Sequence, residues 1–428
     1  MVDKKRVLGL HKKAGGKIEV MPKVMIDNEG ELSIYYTPGV SYVSEEIKGN
    51  ADKAYDYTSK SNTIAIVSDG TRILGLGDIG PYAGIPVMEG KAALFKKFGG
   101  VDAVPLCIGT TDEDEIVKLI KAISPNFGGI NIEDIESPKS FRIVERLSEE
   151  LDIPIFHDDR HGTGVVALAA LLNSLKLTGR GKGARIVVNG AGSAGFGIAT
   201  QLISSGFRNM VVLDKNGAIY KGRESGMNPF KEEIASHTNA RRVSGDLADM
   251  LKDADVLIGA SERGAFGKDH IALMNGKPIV FALANPYPEI EYDEAKDAGA
   301  YIVATGRSDK PNQVNNILAF PGIMRGLLDS RAKAVSFKML HNAAVTIARS
   351  VGRRLSTEFI IPYALERGFA FNTVPKVAAS VAESAAAEGL ARKAISFESE
   401  FRNAERLIRR YDSMERISKR FLVGEGRR

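Results

Sequence analysis

The chain has 428 residues, 44% hydrophobic and 26% charged, with a formal net charge of +5. That length supports two domains, each with its own core, and the mild basicity suits small anions but is too weak to argue for nucleic acid. One cysteine, Cys107, rules out a disulfide within the chain; no run approaches the ~20 apolar residues of a membrane span, and the apolar stretch in MVDKKRVLGLHKK is too short for a signal peptide, so a cytoplasmic protein is expected.

In chain order, TIAIVSDG (63–70) and VDAVPLCIG (101–109) read as buried strands ending in turns. DEDEIVKLIKAI (112–123) reads as a helix with acids in its first turn, where they complement the helix dipole. IPIFHDD (153–159) reads as a strand that delivers polar residues at its C-terminal end. The segment 163–177 is apolar nearly all round, which predicts a helix buried between domains. From about residue 184 the strands ARIVVNG, NMVVLD, ADVLIGAS, KPIVFALAN and AYIVATG alternate with helices such as 194–205 and 289–298. Apolar strands alternating with helices imply a parallel sheet covered on both faces.

The expected fold is α/β: an N-terminal substrate and metal domain (1–162), a Rossmann-type doubly wound parallel sheet (163–325), and a helical segment (326–428) packing back on the body or on a partner subunit. Within 395–422, Ile395, Phe397, Phe401, Ala404, Ile408, Tyr411, Ile417 and Phe421 make one apolar face with Arg and Lys between them. Packing or subunit contact is the expected use of that face; a basic amphipathic helix also suits RNA or a membrane surface.

Two constellations carry chemistry. In NGAGSAGFG (189–197), Gly190, Gly192 and Gly195 follow the strand RIVVN. The first glycine permits a tight turn, the second lets the backbone approach a pyrophosphate, and the third lets the helix pack close to the strand. Ser193 and Ala194 open that helix, whose N–H groups would face the phosphates. Asp214 ends the next strand, placed to accept from the adenosine ribose and to favour NAD, while Lys215 beside it leaves NADP open. The competing reading is a structural Rossmann domain that binds nothing.

The second constellation is acidic. Glu133 and Asp134 end GGINIED, and Asp158 and Asp159 end IPIFHDD. Adjacent strand ends in one sheet would bring these carboxylates together, and hard oxygen ligands suit Mg²⁺ or Mn²⁺. A zinc pair at His157 and His161 is the rival, without a cysteine or third histidine near. Capping alone would need one acid, not four.

Beyond these, YYTPGV (35–40), SDGTRILGLGDIGP (68–81), GIPVMEGKAALF (84–95), FGGINIEDI (127–135), HDDRHGT (157–163), FALANPYPEI (281–290) and TGRSDKPNQVNNILAFPG (305–322) are similar to the motifs of the malic enzymes, in their compact prokaryotic form, over about residues 17–390. The resemblance implies oxidative decarboxylation of (S)-malate to pyruvate and CO₂ with reduction of NAD or NADP, decarboxylation of oxaloacetate as a side activity, and a homodimer or larger oligomer. By motif match it implies Tyr36 as the acid that protonates C3 of enolpyruvate, Lys91 as the base held by Asp158, and Glu133, Asp134 and Asp159 as metal ligands. Asn285, Asn315 and Asn316 would orient substrate and nicotinamide ribose, and Arg72 would clamp a malate carboxylate. Read alone, Asn315 and Asn316 also suit a helix cap or turn. To act as a base Lys91 must be neutral, so burial and a nearby cation are expected to lower its pKa.

Two positions depart from the pattern: Arg160 stands where glutamine is common, adding positive charge near the metal, and Gly164 where alanine is usual. The alternatives are a malolactic-type enzyme that retains NAD and releases lactate, and a catalytically silent nucleotide-binding regulator.

Overall fold

The computed structural model describes residues 3–73, 75–366 and 368–424, with side chains as far as residue 416. Its first sheet is built from β1 (Thr63–Ser68), β2 (Asp102–Cys107), β3 (Gly129–Ile132) and β4 (Ile155–His157), in the order β2-β1-β3-β4. All its pairings are parallel. The second contains β5 (Ile186–Asn189), β6 (Met210–Asp214), β7 (Gly217–Ala218), β8 (Val256–Gly259), β9 (Ile279–Ala282) and β10 (Ile302–Thr305), in the order β10-β9-β8-β5-β6-β7. It is parallel except for β7, which turns back on β6. Strand order reverses at β5, which places the crevice of this doubly wound sheet beside the Gly190 turn.

Side chains alternate across each strand, and the alternation sorts the core. Ile64 and Ile66 of β1 face inward together with Ile186 and Val188 of β5, in one cluster that spans both sheets. Ala65 and Val67 face outward into the cluster covering the first sheet, and Val187, Leu257 and Val280 into the one covering the second. The two sheets therefore share their main core, where separate cores were expected. The physical reason is the helix Thr163–Thr178, which is apolar on every side and so buries against both.

The first fifty residues behave differently. The helices Lys4–Ala14, Glu29–Tyr35 and Val40–Gly49 contain no buried residue. Val20, Met25, Ile34, Tyr36 and Tyr42 are all exposed. This arm is tied to the body where the Lys17 ammonium donates to the Pro86 carbonyl (2.7 Å) and its backbone N–H to Glu89 (3.2 Å).

At the other end, the helix Phe397–Gly424 lies across the helices Val374–Ala387 and Gly80–Gly99. Ala404 and Ile408 are buried, as the apolar periodicity requires; the side chains of Ile417 and Phe421 lie outside the described residues. An acid interrupts that face. Glu400 is fully buried and neither of its oxygens finds a donor. Its neighbour Asp329 already accepts from the Arg325 Nε (2.8 Å) and from Asn403 (2.8 Å). Burial, then the Asp329 charge, push Glu400 well above the usual carboxylate range, against the pull of Arg325 and Lys393. The folded state thus holds a proton that the unfolded chain releases near pH ~4.3, so stability falls as pH rises above that value until the folded pKa is passed. Glu400→Gln, which keeps a donor toward Asp329, should stabilise the protein by on the order of 1–3 kcal/mol near pH 8 and have little effect near pH 4. Urea melts of both proteins at the two pH values check this; equal midpoints at the alkaline end refute it.

Candidate active site

Both sheets present their functional residues at the carboxyl ends of parallel strands. The register pairs Ile132 of β3 with His157 of β4. One residue further on stand Glu133 and Asp158, and two further on Asp134 and Asp159. One oxygen from each of Glu133, Asp134 and Asp159 lies within 4.8 Å of the others. Asp134 holds a left-handed backbone (φ 51°), a conformation non-glycine residues adopt at some cost and which is often found at functional sites. The Asp158–Gly162 segment winds into a single π-helical turn, which ends β4 earlier than the apolar run predicts.

These acids repel one another. Burial, then the neighbouring carboxylates, push Asp134 well above its ordinary range; the same two causes act on Asp159. Glu133 is also raised, by burial first, although Lys91 opposes the shift. A group of buried hard oxygens with surplus negative charge fits a divalent cation such as Mg²⁺ or Mn²⁺. Among the described residues it is the one set of three or more acid, histidine or cysteine ligands so arranged. The histidine alternative lacks a ligand set: among the described residues neither His157 nor His161 belongs to a group of three acid, histidine or cysteine ligands. His161 Nδ1 is also taken up, accepting the backbone N–H of His157 (3.1 Å).

Lys91 sits against this cluster, from the helix Gly80–Gly99. Its ammonium donates to Glu133 Oε1 (2.9 Å) and to Asp158 Oδ2, and rests 4.2 Å from the centre of the Phe320 ring. Asn316 Nδ2 donates to the same Asp158 oxygen (2.5 Å), so Lys91, Asp158 and Asn316 form one network. The other Asp158 oxygen is buried without a partner. Burial alone does not supply the lowering of the Lys91 pKa that was expected from burial together with a nearby cation. Burial does pull it down, but Asp158 and Glu133 together outweigh burial and hold the ammonium form.

The remaining expected residues divide. Arg72 is brought to the cluster: its backbone N–H donates to the Asp134 carbonyl (3.1 Å), and its charge acts on Asp159. The loop bearing it is braced by the buried Asp69–Lys139 ion pair (2.7 Å), which no sequence motif announced. Asn315 caps the short turn Asn316–Leu318 through its side-chain oxygen, the plainer of its two readings, and keeps its amide nitrogen unused for that purpose. Asn285 is exposed after β9, its backbone carbonyl close against Gly75 of the Arg72 loop. Tyr36 is 65% exposed at the end of Glu29–Tyr35 and makes no hydrogen bond, ion pair or ring contact with the cluster in this chain.

The dinucleotide turn is built as its glycines require. Gly190 has φ +123°, and a Cβ there would strike the Ala260 carbonyl; one on Gly195 would strike the Gly190 carbonyl. Gly192 meets nothing within 4 Å, which leaves its side open for a phosphate. Ser193 and Ala194 begin the helix Ser193–Ser204. That helix touches the acidic turn directly: a Cβ on Gly197 would collide with the Arg160 carbonyl, and one on Gly164 would stand 2.6 Å from the Gly197 carbonyl. Gly164 is therefore the small residue that lets two helices meet at backbone distance. Arg160 lies over the rings of Phe196 (4.7 Å) and Phe141 (5.6 Å).

Asp214 has partners that the motif did not reveal. Its oxygens accept from Arg223 Nη1 (2.9 Å), Arg223 Nη2 (2.5 Å), Lys231 (2.6 Å) and the Asn216 N–H (2.9 Å). Despite burial, these donors hold it down at about 2. Arg223 and Lys231 lie nine and seventeen positions beyond Asp214, a separation without a local periodic signal.

Similarity to known proteins covers both parts of the chain. Residues 161–386 match the model of the malic enzyme NAD-binding domain, and residues 15–113 that of the malic enzyme N-terminal domain. The chain is 49% identical over 391 residues to the bifunctional malic/malolactic enzyme of Bacillus subtilis (strain 168), covering 91% of this chain and 94% of that one. It is 48% identical over 381 residues to the NAD-dependent malic enzyme of Geobacillus stearothermophilus, covering 89% and 78%. The crystal structure of malic enzyme from Pyrococcus horikoshii Ot3 superposes with a TM-score of 0.93 at 46% identity, over 97% of this chain and 98% of that one. With both domains matched, and the acidic turn packed against the helix that follows the dinucleotide turn, this chain belongs to the malic enzyme family.

Proposed function

We propose that this protein converts (S)-malate to pyruvate and CO₂ while reducing NAD⁺ or NADP⁺, with Mg²⁺ or Mn²⁺ held by Glu133, Asp134 and Asp159. The observation that carries this reading is the meeting of those three carboxylates beside Lys91. A divalent cation there would supply Lewis acidity toward the hydroxyl and carboxylate of malate. Once a cation on the three acids offsets the carboxylate charge that holds Lys91 as an ammonium, the Lys91 amine is free to take the C2 hydroxyl proton, while Asp158 and Asn316 fix the position of its nitrogen. Arg72 binds a substrate carboxylate, and Asn285 and Asn315 hold substrate and nicotinamide ribose through neutral amides. Tyr36 returns a proton to C3 after CO₂ has left.

A proton donor cannot work while exposed on an arm, and an arm that buries nothing leaves apolar side chains in water. We read both facts together: the protein acts as a homodimer, the arm of one subunit lies on the other, and Tyr36 completes a site through that contact. Both cofactors are accepted in this reading. Asp214 is neutralised by two cations, so it does not repel a 2′-phosphate as a bare carboxylate would.

Initial rates with malate, each cofactor and each metal test the proposal, following NAD(P)H, pyruvate and lactate together. Malate-dependent formation of pyruvate and NAD(P)H in equal amounts is expected; lactate without net reduction would favour the malolactic activity in the Bacillus relative's name. A second readout needs no turnover. Because the raised acids must lose protons to bind a cation, Mn²⁺ should raise the melting temperature more at about pH 8 than at about pH 6. No shift at either pH would count against the metal site.

A further inference from the structure

The structure assigns to Glu289 the role of a positioning residue that sets the cofactor turn and Asn285 in register with each other; this deepens the malic enzyme reading and rests on it. Glu289 is 1% exposed, in the loop that follows β9. Its Oε1 accepts the Ser261 N–H (2.8 Å) and the Ser261 hydroxyl (3.3 Å), and its Oε2 accepts the Ala284 N–H (3.0 Å). Ser261 follows β8, and Ala284 directly precedes Asn285. One carboxylate thus ties together the ends of two neighbouring strands.

What those ends support gives the tie its consequence. The Ala260 carbonyl is the surface against which Gly190 turns, and the Ala260 N–H donates to the Asn189 carbonyl (2.9 Å). The Ser261 hydroxyl also stands 3.4 Å from the Asn189 amide. On one side Glu289 therefore fixes the wall of the pyrophosphate turn; on the other it fixes the backbone from which Asn285 projects. The seat is built for a carboxylate. All three partners are donors, so both oxygens must accept, and Gly259 leaves the room: a Cβ there would stand 2.6 Å from the Glu289 carboxyl carbon. Glu289 lies inside the FALANPYPEI motif, but that motif assigned a role to Asn285 and none to Glu289.

Two variants disturb the seat by different routes. Glu289→Gln turns an N–H₂ toward a backbone N–H, and Gly259→Ala, whose Cβ would also press on the Phe266 ring, pushes the carboxylate off its donors while asking nothing unusual of the backbone. Small misplacements of reacting groups cost on the order of tenfold to a hundredfold in rate. Both variants should lower kcat by that much and raise the deuterium isotope effect on kcat with C2-deuterated malate, because hydride transfer becomes slower relative to product release. Both should also weaken NADH binding about fivefold or more in a fluorescence titration. A variant that is only less stable would show fewer active molecules with an unchanged isotope effect, unchanged KM values and unchanged NADH affinity, and that result in both variants overturns the role. If the unaltered protein fails to oxidise malate, the functional reading fails there, and the NADH titration alone decides the role of Glu289.

Discussion

Lys91→Ala should lower malate oxidation by about three orders of magnitude, the range seen when a general base is removed, while cofactor binding survives. The expectation rests on where the amine stands: within 2.9 Å of Glu133, hydrogen-bonded to Asp158, and with its side chain only 11% exposed. Truncation also strips a counter-charge from two buried acids, and such losses can cost 3–5 kcal/mol where the acids stay ionised, roughly as for any broken buried pair. Loss of activity in that variant alone would therefore mix chemistry with stability. Lys91→Arg separates them. Its guanidinium keeps the charge beside Glu133 and Asp158 but does not give up a proton near neutrality. It should fold with near-normal stability and be as inactive as the alanine variant. Substantial turnover by the arginine variant would remove Lys91 from the role of base.

Co-expressing Lys91→Ala and Tyr36→Phe subunits should restore activity that neither variant has alone. If Tyr36 serves the partner's site, each mixed dimer contains one site with both native groups. With random pairing half the dimers are mixed, so about a quarter of the native activity returns. If Tyr36 serves its own subunit, every site in the mixture lacks one group and no activity returns. Differently tagged subunits, purified in sequence to isolate the mixed dimer, make the measurement direct; there the expected recovery is about half. Sedimentation of the native protein as a monomer would also defeat this reading, because the arm would then have nothing to lie on.

The reach of sequence reasoning differed from residue to residue. The glycine turn was legible because each glycine answers a local demand: a positive φ at Gly190, an open side at Gly192, backbone contact at Gly195. The acids were legible as two pairs at strand ends, since parallel strands in one sheet deliver their C-terminal residues to the same edge. Asp214 was legible as a position and not as an environment, because Arg223 and Lys231 reach it from a separate loop and the helix Pro229–His237. Glu400 was hidden for a similar reason. It stands three residues after Phe397 and four before Ala404, on the apolar face itself, where an acid reads as an interruption, and only the packing of that helix against Asp329 shows that it is buried.

By itself the order of residues determined most strands of both sheets, though not the short β7 or the early end of β4, together with the family to which the chain belongs and the types of group available for catalysis. Those are properties of local periodicity, turn geometry and chemical identity, which short stretches of chain carry in full. Only the tertiary structure decided that the two sheets share a core, that Lys91 is held charged by Asp158 and Glu133, and that Tyr36 stands apart on an exposed arm. Burial and charge act through space, and the groups that set them are brought together by folding from positions tens to hundreds of residues apart.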